Sequence, residues 1–162
     1  GAIEPLGFFD PLELTKEADL NTIKRYREAE IMHGRIAMMA TVGYLIAENT
    51  PTIMYNSLPT IANNQLAEMP SSLLLPLFLF INFTEAWRAI NGWVTPSEDT
   101  LFQLKEKYYP GGIGFDPMDF APKDAKDFAL MTEKELSNGR LAMIGVAGMC
   151  VQELVTGQPL FN

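Results

Sequence analysis

The chain has one cysteine and one histidine, and acidic side chains outnumber basic ones by 20 to 12. The lone Cys150 excludes an internal disulfide, and its apolar helical setting reads as a small inert hydrophobe. The lone His33 leaves Glu30-x-x-His33 as the only Glu-x-x-His unit. A carboxylate-bridged metalloenzyme bundle needs two such units, so it stands only as a remote alternative. The net charge of −8 excludes nucleic acid as a partner, because phosphate binding needs clustered Lys and Arg. A long hydrophobic run free of charge is also missing, and basic residues are absent from positions 49–70 and from the tail after Arg140. No signal or transit peptide is visible at Gly1, as in a processed mature form.

What is present is a strong segregation of apolar residues into three blocks, at about 21–48, 71–91 and 132–156. The pattern predicts an all-α chain of three helices in one domain spanning residues 1–162. Pro51 follows the first block and Pro76 lies near the start of the second, where a bent opening turn is expected. Thr132 with Glu135 reads as a capping box at the start of the third helix, and Gly157 reads as its C-cap. Each block has some 20 residues or more, enough to cross a ~30 Å hydrocarbon core at ~1.5 Å per residue. The competing arrangement is a soluble three-helix bundle.

The loop charges favour the membrane. Lys16, Lys24, Arg25 and Arg27 lie before or at the start of the first block. Lys105, Lys107, Lys123, Lys126 and Lys134 lie before or at the start of the third. Three spans put all of them on one side, as the positive-inside rule expects, and a soluble bundle has no reason to sort them so. Trp87 and Trp93 read as interfacial anchors.

Within the first and third blocks a motif occurs twice. Residues 30–38 read E-I-M-H-G-R-I-A-M and residues 135–143 read E-L-S-N-G-R-L-A-M. The register continues through Gly43/Gly148 and Glu48/Glu153, and each copy follows an F-D-P turn, at 9–11 and 115–117. Glu30 and Arg35 stand about 140° apart around a helix, poorly placed to pair with each other, and so do Glu135 and Arg140. Reciprocal pairs, Glu30 with Arg140 and Glu135 with Arg35, solve this if the two helices cross about a pseudo-twofold axis. Gly34 and Gly139 then let the backbones approach. His33 and Asn138 add a neutral nitrogen and an amide oxygen. In the middle block Glu85 and Arg88, three apart, pair locally, and Gln152 lies about four turns after Asn138 on roughly the same face. Glu48, Glu68 and Glu153 read chiefly as solvated carboxylates, with acid sensing as the sharper alternative. A bare cation wants several converging donors. Single donors along apolar helices suit instead the magnesium of a chlorophyll, which has four ring nitrogens already and needs one axial atom.

These features together resemble the light-harvesting chlorophyll-binding protein superfamily over nearly the whole chain. The segments G-W-V-T-P and K-Y-Y-P-G-G-I-G-F-D-P resemble the fucoxanthin–chlorophyll a/c antennae of red-lineage algae in particular. The resemblance implies a plastid thylakoid protein of three transmembrane helices, the first and third crossed about a pseudo-twofold axis, with a stromal N-terminus and a lumenal C-terminus. It implies that Glu30, His33, Glu85, Glu135, Asn138 and Gln152 hold chlorophyll magnesium, while Arg35, Arg88 and Arg140 support them as ion-pair partners. It places carotenoid grooves near Asp10, Pro11, Asp116 and Pro117. The implied cofactors are chlorophyll a, chlorophyll c and a carotenoid, fucoxanthin or a related xanthophyll. The implied role is a non-enzymatic antenna that passes excitation to a photosystem core, I or II, among neighbouring antenna subunits and thylakoid lipids. The alternative role is a photoprotective member of the same superfamily. Three departures from the family pattern stand out. Glu13 replaces a frequent glycine, Leu77 replaces a second ligand of green relatives (with Asn82 as a weak substitute), and the chain stops at Asn162 without a C-terminal amphipathic helix and its histidine.

Overall fold

The computed structural model describes residues 2–4, 7–49, 58–98 and 100–161, so Pro51 lies outside the described residues. Four helices occur among them: α1 (Leu20–Asn49), α2 (Ala62–Glu68), α3 (Ser71–Gly92) and α4 (Ala125–Thr156). The three expected helices are present, and α2 is an addition within the basic-free connection. At 30 and 32 residues, α1 and α4 are about 45 and 48 Å long. By length and apolarity only α3 is a candidate membrane span among the described residues. The charges inside α1 and α4 keep those helices from the same standard.

The start of α4 corrects the expected boundary. Residues 125–131 are already helical, and the Thr132 hydroxyl donates to the Ala129 carbonyl at 2.8 Å, so no capping box forms there. A-K-D-F-A-L-M contains good helix formers, with Asp127 in the first turn where a negative charge suits the helix dipole. The other end is as expected: Gly157 takes φ +63°, and its N–H donates to the Glu153 carbonyl at 2.9 Å. Pro76 sits inside α3.

The chain divides into two compact units, Gly1–His33 with Asn82–Ser137, and Gly34–Ile81 with Asn138–Asn162. Few apolar side chains are buried: among the described residues they are Ala37, Leu104, Tyr108 and Leu136. Along α3, Leu75, Phe78, Leu79, Phe80, Phe83 and Ile90 are all exposed. A water-soluble domain keeps such contiguous apolar area covered, and an exposed apolar surface of this kind marks a membrane or ligand contact.

In the first unit both F-D-P turns are built the same way. Asp10 accepts the N–H groups of Leu14 and Thr15 at 3.0 and 2.9 Å. Asp116 accepts those of Phe120 and Ala121 at 3.0 and 2.8 Å. Three residues after each aspartate the backbone turns left-handed, at Glu13 (φ 52°) and Asp119 (φ 52°). A residue with a Cβ is strained there by ~1–2 kcal/mol. Replacing Glu13 by glycine should therefore stabilise the protein, by up to ~1 kcal/mol once glycine's extra freedom in the unfolded chain is subtracted. The exposed Glu13–Lys16 ion pair that is lost contributes little. A thermal melt of Glu13→Gly that falls below wild type would contradict the strain.

The same turns set an acid limit. The Thr15 hydroxyl and N–H hold the Asp10 carboxyl below its ordinary value of 3.8, and the Ala121 and Phe120 amides do so for Asp116. A carboxylate whose folded value is depressed contributes stability above its unfolded value and loses it as pH falls through the folded one. Amide exchange at Thr15 and Ala121 should stay protected at about pH 5 and speed up below about pH 3 beyond the intrinsic pH trend. Protection unchanged on acidification would refute the carboxylate's role.

Candidate functional site

The second unit contains a close backbone approach of α1 and α4. A Cβ built on Gly34 would lie 3.0 Å from the Gly139 Cα, and one built on Gly139 would lie 3.0 Å from the Gly34 Cα. These two glycines occupy equivalent positions of the doubled motif. When a residue touches its own repeat equivalent at matching distances, a local twofold axis passes between them. The same unit holds a polar knot at the far ends of α1 and α4. Glu153, only 2% exposed, accepts the N–H groups of Ala62 and Asn63 at 2.9 and 2.8 Å. Its repeat equivalent Glu48 accepts those of Leu160 and Phe161, at 2.9 and 3.2 Å. Tyr44 donates its hydroxyl to Asn63, whose amide donates to the Cys150 carbonyl at 3.1 Å. The expectation that Glu48 and Glu153 are plainly solvated is overturned; each is used by the backbone, and Glu68 alone stays exposed. The reason is that α2 and the tail bring N–H groups without internal partners to these carboxylates.

The expected donor residues lie on the helix surfaces rather than in one cluster. His33, Asn138 and Gln152 are exposed, and Glu30, Glu85 and Glu135 are half-buried. Among the described residues no three His, Cys, Asp or Glu side chains converge as a bare metal would require. The fit to a group needing one axial atom is specific at two places. His33 Nδ1 lies 2.7 Å from the Ala29 carbonyl. A carbonyl only accepts, so the proton sits on Nδ1 and the Nε2 lone pair points away from the backbone. Arg88 donates from Nε and Nη2 to Glu85 at 3.0 and 2.5 Å, both to Oε2. The pair expected from the spacing is formed, and it leaves Oε1 without a hydrogen bond among the described residues. Glu30 Oε2 accepts from Arg27 Nη1 at 2.7 Å, a partner that sequence reasoning counted only as a loop charge.

Sequence reasoning missed one cluster entirely. In the first unit Glu28 is 2% exposed. It accepts from the Tyr108 hydroxyl, the Gly111 N–H and Arg88 Nη1. Burial and the neighbouring carboxylate push the Tyr108 hydroxyl up to about 12, so it remains a donor. Its ring lies on Gly92, where a Cβ would come within 2.9 Å of Cζ. Glu28 follows Lys24, Arg25 and Arg27, which sequence reasoning counted only as basic residues at the start of the first block. The only available signal was K-Y-Y-P-G-G, whose Tyr108 supplies one donor and whose Gly111, at φ +83°, turns another inward.

Long helices carrying a doubled motif, matched turns and single outward-facing donors define an internally repeated helical protein. The chain belongs to the family described as Chlorophyll A-B binding protein, whose model matches residues 1–154. It is 40% identical over 161 residues to the fucoxanthin-chlorophyll a-c binding protein of Isochrysis galbana, covering 97% of this chain and 76% of that one. It is 37% identical over 163 residues to light-harvesting complex stress-related protein 3.2 of Chlamydomonas reinhardtii, covering 96% of this chain. It spans 62% of that relative's length. Chlorophyll a-b binding protein 4 of Arabidopsis thaliana is 34% identical over 165 residues, covering 95% of this chain and 62% of that one.

Proposed function

We propose that residues 1–162 form one pigment-binding antenna domain that captures light and passes excitation energy to a photosystem core. The observation that carries this reading is the pairing of donor and surface. His33 Nε2 and Glu85 Oε1 are directed away from their intramolecular partners, on helices whose apolar side chains are exposed. In this reading α1, α3 and α4 cross the plastid thylakoid membrane, with the basic N-terminal side stromal and the acidic C-terminal side lumenal. The Gly34–Gly139 contact supports α1 and α4 crossing about the pseudo-twofold axis, and Arg35, Arg88 and Arg140 serve as ion-pair support. Glu30, His33, Glu85, Glu135, Asn138 and Gln152 are the magnesium ligands, and the two matched F-D-P turns flank the carotenoid grooves. Similarity to the fucoxanthin-chlorophyll a-c relative favours chlorophyll a, chlorophyll c and a fucoxanthin-like carotenoid. When bound, the pigments supply absorption and excitation transfer; the protein supplies distance, orientation and local polarity. Other antenna subunits and thylakoid lipids are the neighbours in this setting. Purification in mild detergent followed by pigment extraction tests the reading. Magnesium chlorophylls with a xanthophyll are expected, and a colourless folded protein would sink it.

One observation favours a second, energy-dissipating reading. Glu153 is a buried carboxylate at the end assigned to the lumen, and three relatives are named as light-harvesting complex stress-related proteins. Fluorescence lifetime against pH separates the two roles. Shortening in acid supports dissipation, and an unchanged lifetime argues against it.

A further inference from the structure

Glu28 is as buried as Glu153, yet the proposed function gives it no part. Both of its oxygens are engaged. Oε1 accepts from Arg88 Nη1 and the Tyr108 hydroxyl, each at 3.1 Å, and Oε2 accepts from the Gly111 N–H at 2.7 Å and from Tyr108 at 3.1 Å. The guanidinium thus lies between two carboxylates, with Nη1 held by Glu28 and Nε and Nη2 turned to Glu85 Oε2.

The preferred geometry of an isolated arginine–carboxylate pair is a fork on a fork, two parallel N–H···O bonds that occupy both oxygens. Arg88 does not adopt it with Glu85. Holding Nη1 at Glu28 fixes the rotation of the planar guanidinium, so that both remaining donors meet the same oxygen. Glu28 cannot yield easily, because it is pinned in turn by Tyr108 and Gly111, and the Tyr108 ring rests on Gly92. Charge acts in the same direction. One cation shared by two carboxylates leaves the three groups at −1, so Glu85 keeps more negative charge than a carboxylate with an arginine to itself.

We propose that Glu28 is a positioning residue for Glu85: by holding one edge of Arg88 it keeps Glu85 Oε1 open and electron-rich toward the chlorophyll magnesium that Glu85 would hold. This rests on the reading of Glu85 as a chlorophyll ligand. It makes the segment around Tyr108–Gly111, remote from the ligand in sequence, a determinant of that pigment's affinity and colour. A purely structural staple would instead secure this segment and leave the pigment's spectrum alone.

The test uses the full pigment-loaded chain, with pigment content by extraction and low-temperature absorption spectra. Glu85→Ala identifies the pigment by the band it removes. Glu28→Gln, which lets Arg88 turn both oxygens of Glu85 into acceptors, should shift that same band or lose that same pigment and leave the other bands in place. Tyr108→Phe keeps the Glu28 charge and removes one of its donors, so it should shift the band less. It also covers the case in which Glu28→Gln does not fold. If Glu85→Ala removes a pigment but its band and occupancy are unchanged in the folded Glu28 or Tyr108 variant, the positioning role is wrong and the ligand assignment stands. If Glu85→Ala removes no pigment, the ligand assignment fails and the positioning role goes with it.

Discussion

Gly34→Ala and Gly139→Ala should each destabilise the pigment-loaded protein by ~1–3 kcal/mol, the usual cost of overpacking a close contact. The sign is what makes the experiment informative. In a helix interior alanine is ordinarily better than glycine by ~0.5–1 kcal/mol. Here the new methyl would stand 3.0 Å from a Cα and 3.5 Å from a carbonyl carbon of the other helix. Both are backbone atoms that cannot rotate away, so the helices themselves must separate. Gly145→Ala is the control, since nothing lies within 4 Å of a Cβ there, and it should be neutral or stabilising. Thermal loss of the visible circular dichroism in detergent reads all three. A melting temperature for Gly34→Ala at or above wild type would show that the two backbones are not in contact.

Glu153→Ala should cost about 3 kcal/mol, because two N–H groups of α2 lose a charged acceptor and hydrogen bonds to charged groups contribute ~1.5–3 kcal/mol each. Its repeat equivalent Glu48 serves as an internal comparison. Glu48 receives the amides of the tail at Leu160 and Phe161, the second of them exposed, and water can replace it there. Glu48→Ala should therefore cost clearly less. Limited proteolysis reports where the damage falls. Glu153→Ala should expose the connection around α2, and Glu48→Ala should expose only the C-terminal tail. Equal costs, or cleavage at the same place, would refute the separate roles.

Much of this arrangement is legible in the chain because local rules decide it. The segregation of apolar residues into three blocks locates α1, α3 and α4, Gly157 ends α4 with its left-handed φ, and the spacing of Glu85 and Arg88 gives their pair. Where reasoning fails, a neighbour that no motif marks decides, local for Thr132 and Arg27 and distant in sequence for Glu28 and Glu153. Thr132 lies inside α4 because the preceding segment continues the helix. Glu153 reads as a solvated charge and Glu28 draws no notice until residues 62–63 and 108–111 arrive with N–H and O–H donors. Arg27 looks like one more surface cation until its reach to Glu30 is drawn. The proposed donor residues stand out in the sequence, since a single His, Asn or Gln on an apolar helix needs no distant partner to be noticed. The free faces of His33 and Glu85 were not, because they follow from hydrogen bonds to Ala29 and Arg88.

The two F-D-P turns carry a consequence for how the halves tolerate change. Asp10 and Asp116 are 106 positions apart, whereas the starts of α1 and α4, Leu20 and Ala125, are 105 apart. The second copy is thus one residue shorter between turn and helix. One residue removed inside either helix would have rotated every donor beyond it by ~100°. Removed from the irregular stretch beyond the turn, at 16–19 against 122–124, it leaves both turn and helix intact. That stretch is an expansion joint: insertions or deletions of single residues are absorbed there, and it is the natural place to splice the two halves in a redesigned or permuted chain.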